Sequence, residues 1–329
     1  MTAPPEAGTV FVETAARLHF GVLDLRGSLG RWFGGIGAAA PGPTLVVSAS
    51  TAATLKVDGE EPERAAEAGR RFLAHYGIAG GAMITVHRAL PPHAGLGSGT
   101  QLALAVGRAL AEVYGIASDA AALARATGRA HRSAIGTWTF AGGGFVLEGG
   151  RRPADEEVAP LLARLPFPAS WRCVVAVPDS ARGMSGAAEA AAFAKLPPPP
   201  ERDVERVAHR VLMALLPAIA AGDLATFGAA LSDVQETTGR WFAPVQGGTF
   251  APGIAGSLVR RMAEWGAAGV GQSSWGPAVY GIVDGDAACR ELADRVRGAL
   301  GSAGTIYAGT FRTEGARVWR NSGTLPGSG

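Results

Sequence analysis

The sequence predicts an α+β fold with two sheets, each backed by helices. Three observations carry this expectation. Strand-like runs and helix-like runs follow one another in irregular order, which excludes a repeating βαβ barrel. Gly-rich turn regions punctuate short β-prone runs in the first half, whereas long helical patterns dominate the second. The 329 residues are 47% hydrophobic and 18% charged, enough for a sizeable core and for two modest domains. The break is placed near Trp171. It gives an N-terminal unit over 1–168 and a C-terminal unit over 169–329, in which 320–329 reads as a disordered tail with nothing to bury.

Taken in order, residues 9–20 are rich in Val, Thr and Phe and predict one or two strands. A Gly-rich loop follows over 21–37. The β-prone run LVVSASTAATLKV spans 45–57. Residues 62–76 carry a helical pattern that Gly77 ends, and AMITVHRA at 82–89 is another strand. Pro91 and Pro92 stop that strand. From Thr100, TQLALAVGRALAEVYG is apolar on every face, the pattern of a helix buried on most sides. A second helix is expected over 119–131, started by the N-cap pair Ser118-Asp119. A Gly-rich turn region over 136–150 encloses the strand GGFVLEG. In the second half CVVAVP is a buried strand, and prolines 197–200 precede a helix over 201–221. Its Val204, Val207, Val211, Leu212 and Leu215 recur at helical spacing. Further helices are expected over 224–236, 256–266 and 287–300, and strands over 278–283 and 305–310.

Charge and cysteine content exclude several classes of function. Lys+Arg 30 against Asp+Glu 28 gives a net charge of +2, without the concentrated basic surface that nucleic acid requires. Cys173 and Cys289 are too few and too far apart for a disulfide framework or a CxxC metal pair. The opening MTAPPEAGTV has no basic stretch followed by an apolar one, so no secretory signal is expected. Gly, Arg and Asp interrupt every candidate membrane span. The expectation is a cytoplasmic protein without membrane or nucleic-acid partners.

Four segments have the composition of functional loops. PHAGLGSGT, at 92–100, lies between a strand and a buried helix. Its small residues let several backbone N–H groups converge, the helix adds the positive end of its dipole, and Ser98 and Thr100 add hydroxyls. The glycine spacing is not the dinucleotide fingerprint, and no Lys follows as in a Walker loop. A tight turn without ligand is the alternative. In the second segment, 17–37, Arg17, His19, Asp24, Ser28 and Arg31 are interleaved with glycines. Arg17 and His19 share strand parity and so one face, and arginines there suit fork-like recognition of phosphate or carboxylate. A surface hairpin with solvated charges is the alternative. The third segment, GVGQSSWGP at 269–277, again sets small and hydroxyl residues before an apolar strand. The fourth, RAHRSAIGTW at 129–138, ends a helix in Arg, His and Arg, which the helix dipole alone explains. No His/Cys/Asp set has zinc spacing, and no GxSxG elbow occurs.

In this order the loops at 92–100 and 269–276 resemble the central and C-terminal glycine motifs of the GHMP kinase superfamily. RLHFGVLDLRGSLGR followed by GGIG, together with RSAIGT…GGGFVLEGG and GQSSWGP, is similar to the β-ribofuranosylaminobenzene 5′-phosphate synthase family within it. The similarity runs from about Val10 to Arg312. It implies an N-terminal domain like ribosomal protein S5 domain 2, a ferredoxin-like C-terminal domain and a homodimer. It also implies a reaction of tetrahydromethanopterin biosynthesis. In that reaction 4-aminobenzoate is joined to 5-phosphoribosyl 1-diphosphate, with release of CO2 and diphosphate.

The resemblance assigns catalytic roles to Asp24, Arg31 and His19. It assigns substrate contacts to Arg17, Ser28, Gly95, Gly97, Ser98, Gly99, Thr100, Arg132, Thr137, Gln272, Ser273, Ser274 and Trp275. Mg²⁺ is expected with the diphosphate, with Ser98 as its protein ligand, and no organic cofactor is expected. Trp32, Phe33, Trp138 and Trp275 are candidates for an aryl pocket, with ordinary core packing as the alternative for each. One departure sets the chain apart from superfamily kinases. Thr137 stands where many of them place an acidic catalytic residue, and Ala16-Arg17 offers no Lys. A small-molecule kinase and a non-catalytic metabolite-binding paralogue are the competing readings.

Overall fold

The computed structural model describes residues 8–153, 157–179, 183–184 and 186–321. The first half runs β1 (Thr9–Asp24), β2 (Phe33–Ala52), β3 (Lys56–Gly59), α1 (Pro62–His75), β4 (Gly81–Arg88), α2 (Ser98–Tyr114), α3 (Ala120–Ala126), α4 (Ile135–Gly142), β5 (Phe145–Glu148) and β6 (Leu161–Leu165). The second runs β7 (Trp171–Pro178), α5 (Gly186–Lys195), α6 (Glu201–Arg210), a π-helical turn (Val211–Leu215), α7 (Leu216–Ala221), α8 (Leu224–Gln246), α9 (Ile254–Glu264), β8 (Gly269–Gln272), β9 (Val279–Asp284), α10 (Gly285–Leu300), β10 (Gly304–Gly309) and β11 (Arg317–Asn321).

Among the described residues these strands make two sheets, as expected. The larger has the order β11-β1-β2-β4-β3, with β5 on β2 and β6 on β5; the smaller has the order β10-β7-β9-β8. All pairings are antiparallel except β3 with β4. The alternation of burial along β1 shows why: Val10, Val12, Thr14 and Ala16 are buried while their neighbours are half-exposed, so the strand has one core face. β7 is buried on both faces, and its residues divide by parity. Trp171, Cys173, Val175 and Val177 join the core that runs through both sheets. Val174 and Ala176 instead join Leu258, Met262 and Val296 of α9 and α10. An aromatic cluster welds the halves together: Phe20 of β1 meets Tyr280 of β9 at 4.9 Å, and Trp171 meets Phe227 of α8 at 4.9 Å. Each such fully buried ring stabilises the fold by roughly 1.5–3 kcal/mol. No helix among the described residues is long and apolar enough to cross a membrane.

Several elements differ from their sequence expectation. Residues 21–24 and 33–37, read as loop, extend β1 and β2, so the Gly-rich stretch is a hairpin with its tip at 25–32. Residues 136–142, read as turn, form most of α4; Gly136 lets that helix lie against α2, where a Cβ would come 3.0 Å from Thr100. α3 stops at Ala126 rather than near His131, because Gly128 and Ala130 take left-handed backbone angles. The long helix over 201–221 forms with a π turn, which leaves Leu212 54% exposed rather than in the core. α8 runs ten residues past Glu236. Its Thr237-Thr238-Gly239 run is a poor helix former, but those residues are buried and tertiary packing overrides propensity. The strands β6 and β8 and the helix α5 carried no sequence signal strong enough to be expected. Arg320 and Asn321, assigned to a disordered tail, pair with Val10 and Thr9 as the end of β11; residues 322–329 lie outside the described residues.

Candidate active site

The loop before α2 approaches the C-terminal motif so closely that only glycine fits. At Gly95, which has φ +79°, a Cβ would stand 2.1 Å from the Ser273 carbonyl oxygen. Gly97, at φ +75°, caps α2, and a Cβ there would stand 2.7 Å from Cγ of Arg17. Thr100 N and Gln101 N both bond Gly97 O, so the helix leaves the N–H groups of Ser98 and Gly99 to a ligand. Around this helix start stand the guanidinium groups of Arg17, Arg64, Arg129 and Arg132, which with Gly95 and residues 97–100 line one lobe of a cleft. Arg64 and Arg129 converge on Gly99. Arg129 is held below the usual arginine range by burial and by the charges of Arg64 and Arg71, and its buried Nε has no hydrogen-bond partner. Cations pressed together against a helix N-terminus are complementary to a multiply charged anion.

The second lobe opens from the first and is aromatic. Phe33, Phe193, Phe242, Phe250 and Trp275 line it, with His19, Gln235, Thr238, Gln246 and Gln272 as its polar groups. The rings meet edge to face: Phe193 lies 5.6 Å from Phe33, 5.8 Å from Phe242 and 5.5 Å from Trp275. Gln235 holds the wall in place, donating to Phe20 O at 2.6 Å and accepting from Gln272 N at 2.8 Å. Burial, and then the neighbouring Arg17, push the His19 imidazole down to about 3, so it is neutral in the working pH range. Burial draws Arg17 itself down to about 10, an effect that Glu189 opposes.

Arg17, Arg132, Ser133, Glu189 and Ser274 line both lobes and so mark their junction. There Glu189 accepts from Arg132 and, at 3.2 Å, from Trp275 Nε1. The loop carrying Arg132 and Ser133 is tied down by Glu148, whose carboxylate accepts from Gly150 N at 2.7 Å and Ala134 N at 3.4 Å. Burial pushes Glu148 up to about 7 against those bonds.

The sequence-assigned residues divide clearly. Arg17, His19, Gly95, Gly97, Ser98, Gly99, Thr100, Arg132, Gln272, Ser274 and Trp275 line the cleft. Ser273 lies beneath its floor, donating to Gly95 O at 2.7 Å and accepting from His19 N at 2.9 Å. Asp24, Ser28, Arg31 and Thr137 do not line either lobe. Asp24 accepts from Arg26 N at 2.6 Å and Gly27 N at 2.8 Å, closing the hairpin turn. Arg31 donates to Gly149 O and Gly150 O, both at 2.8 Å, and pins the hairpin to the end of β5. Ser28 is exposed at the hairpin tip, and Thr137 is fully buried in α4. Of the aromatic candidates, Phe33 and Trp275 reach the lobe. Trp138 donates to Ala159 O outside it, and Trp32 is 37% exposed.

Two family models match this chain: GHMP kinases N terminal domain over residues 62–143 and GHMP kinases C terminal over 215–302. The β-ribofuranosylphenol 5′-phosphate synthase of Methanothermobacter thermautotrophicus is 36% identical over 296 residues, 84% of this chain and 89% of that one. The chain belongs to the β-ribofuranosylphenol 5′-phosphate synthase family. The Archaeoglobus fulgidus synthase is also 36% identical, over 84% of this chain and 88% of its own. The GHMP fold is confirmed by homoserine kinase from Cytophaga hutchinsonii, with a TM-score of 0.72 at 16% identity over 97% of this chain and 100% of that one.

For this synthase-family chain, sequence reasoning missed Arg64, Glu189, Phe193, Gln235, Thr238, Phe242, Gln246 and Phe250. Gln235 and Thr238 carried a signal: two polar residues three apart on the buried face of an otherwise apolar helix. Among the described residues no group of three His, Cys, Asp or Glu side chains is placed to hold a metal ion. Ser98, Thr100, Ser133, Ser274 and Glu189 bring side-chain oxygens to the anion lobe beside the helix start and the arginines. That set suits Mg²⁺ carried on a diphosphate, which keeps several waters and needs few protein ligands.

Proposed function

We propose that this chain joins 5-phosphoribosyl 1-diphosphate to a benzoate with an electron-donating para substituent, releasing diphosphate and CO2. The observation that carries the reading is the two-lobed cleft: a cationic lobe at a helix start opens into an aromatic lobe through a shared junction. The diphosphate occupies the cationic lobe, where Arg17, Arg64, Arg129 and the N–H groups of Ser98 and Gly99 offset its charge. The aryl ring occupies the aromatic lobe, with its carboxylate-bearing carbon turned to the junction. Diphosphate leaves the anomeric carbon with its electron pair. The ring carbon bonds to that centre, and the carbon–carboxylate bond then breaks to restore aromaticity. When bound, Mg²⁺ supplies charge neutralisation of the leaving diphosphate, with Ser98 as the residue placed to meet it.

The relatives' name carries a phenol where the sequence resemblance implied an aminobenzene, so 4-hydroxybenzoate and 4-aminobenzoate are both acceptors to compare. The family resemblance supports a cytoplasmic homodimer. The kinase reading is weaker, because Thr137 is buried away from the cleft and brings no carboxylate to activate a hydroxyl. The test is incubation of each carboxyl-labelled acceptor with 5-phosphoribosyl 1-diphosphate. Labelled CO2 that requires both substrates supports the reading; ADP formation with ATP and no CO2 release overturns it.

A further inference from the structure

Glu189 is the only carboxylate among the described residues that line the cleft, and it stands at the junction of the two lobes. Its presence there opposes the binding of anions. A negative charge beside a lobe that must hold diphosphate repels the ligand, even where its two oxygens anchor Arg132 and Trp275. The position suggests what compensates. With diphosphate at the start of α2 and the ring among Phe33, Phe193 and Trp275, the anomeric carbon between them has one place to lie. That place is lined by Arg17, Arg132, Ser133, Glu189 and Ser274. As the bond to diphosphate breaks, positive charge develops on that carbon and its ring oxygen, and every other charged group at the junction is a cation.

We infer that Glu189 is a catalytic residue whose carboxylate stabilises the ribosyl cation formed between the departing diphosphate and the attacking ring carbon. This assignment rests on the functional reading above. No proton moves to or from Glu189. The electron pair of the broken C–O bond leaves with diphosphate, the ring's π electrons form the new C–C bond, and the pair of the C–CO2 bond returns to the ring. A fixed carboxylate near an oxocarbenium-like centre acts because its charge is already oriented when the cation appears. The ion pair with Arg132 and the bond from Trp275 supply that orientation.

Glu189→Gln removes the charge at nearly constant shape, and its one amide oxygen keeps the acceptor for either Trp275 Nε1 or Arg132 but not for both. The expected result is a loss in kcat on the order of 10²-fold. KM for 5-phosphoribosyl 1-diphosphate should not rise, and Tm should fall by no more than a few degrees as the Arg132 ion pair is lost. The slow hydrolysis of 5-phosphoribosyl 1-diphosphate without acceptor should fall in the same proportion, since it passes through the same cation. Retained kcat in Glu189→Gln overturns the assignment, and so does an equal loss of kcat in Arg132→Met, which breaks the same anchor but keeps the carboxylate. Recovery of kcat in the variant at high Mg²⁺ overturns it too, in favour of a metal ligand. Wild-type enzyme releasing no labelled CO2 overturns the functional reading and this assignment together. Wild-type turnover with an undiminished Glu189→Gln kcat overturns this assignment alone.

Discussion

The two lobes of the cleft are built on opposite plans. The anion lobe is made largely of backbone: a glycine turn, the first N–H groups of α2 and a ring of arginines closing over them. The aromatic lobe is made of side chains delivered from β1, β2, α5, α8 and the β8–β9 loop, residues far apart in sequence. A site built from backbone is robust to most single changes but fails abruptly where a glycine is needed. A site built from side chains degrades in small steps, one contact at a time.

Gly95→Ala gives the sharpest break. The left-handed backbone and the Ser273 carbonyl 2.1 Å from the new Cβ must both yield, at about 2–5 kcal/mol in total. A drop in Tm of several degrees with loss of turnover is expected in a thermal melt and a CO2 assay; a wild-type melt would remove the close approach of the two loops as a structural requirement. Arg129→Met should raise KM for 5-phosphoribosyl 1-diphosphate about 10- to 100-fold, since a charge-assisted bond is worth roughly 1.5–3 kcal/mol. It should leave the acceptor KM alone. Because Arg129 is buried beside Arg64 and Arg71, its removal should keep or raise the Tm of the free protein. A fall in Tm would show that the cation serves the fold rather than the ligand.

Arg31→Met separates two views of the hairpin. Loss of its bonds to Gly149 O and Gly150 O should cost about 1–3 kcal/mol in stability, seen as a lower Tm. Activity should fall only as far as Phe33 and Gly34, which the hairpin carries into the lobe wall, lose their position. Unchanged Tm with a large loss of kcat/KM would put Arg31 on the substrate instead. Phe193→Leu addresses the aromatic lobe in isolation. Loss of its edge-to-face contacts with Phe33, Phe242 and Trp275 should lower Tm, and loss of the aromatic face offered to the acceptor, roughly 0.5–1.5 kcal/mol, should raise the acceptor KM about 2- to 12-fold.

Two buried groups pull the pH dependence of stability in opposite directions. His19 has its protonation suppressed from 6.5 to about 3, so the unfolded chain takes up a proton first on acidification and stability is lost as pH falls through that window. Glu148 is raised from 4.5 to about 7, so the unfolded chain ionises first and stability is lost as pH rises through that window. Glu148→Gln should therefore flatten the decline of Tm between about pH 4.5 and 7. His19→Asn should flatten the decline below about 6.5. A Tm–pH curve unchanged by either substitution would place the two groups in solvent.

The contrast between the lobes also explains what could be read in advance. The loop at 92–100 was legible because its composition answers a backbone demand: glycines at Gly95 and Gly97 where no Cβ fits, then an apolar helix. Strand and helix identities were legible wherever burial imposes a clean period, as in β4 and α10. Asp24 and Arg31 were misplaced because a charged side chain reads the same in sequence whether it meets a ligand or its own turn. Glu189 and Phe193 were missed because GAAEAAAFAK has no periodicity that marks one face. Thr238, Phe242 and Gln246 were missed because the helix was ended at Glu236, short of the overhang that forms the lobe wall.

The pairing of β11 with β1 has a consequence for how the chain is made. Thr9 lies beside Asn321, so β1 waits for a strand from the far end of the described residues before its outer edge is covered. During synthesis the N-terminal sheet can gather β2, β4 and the helices above them, but the outer edge of β1 stays a bare template of N–H and C=O groups until β11 is made. Nascent chains crowded on one message present that same edge to each other, and the final strand acts as an in-built competitor that closes it.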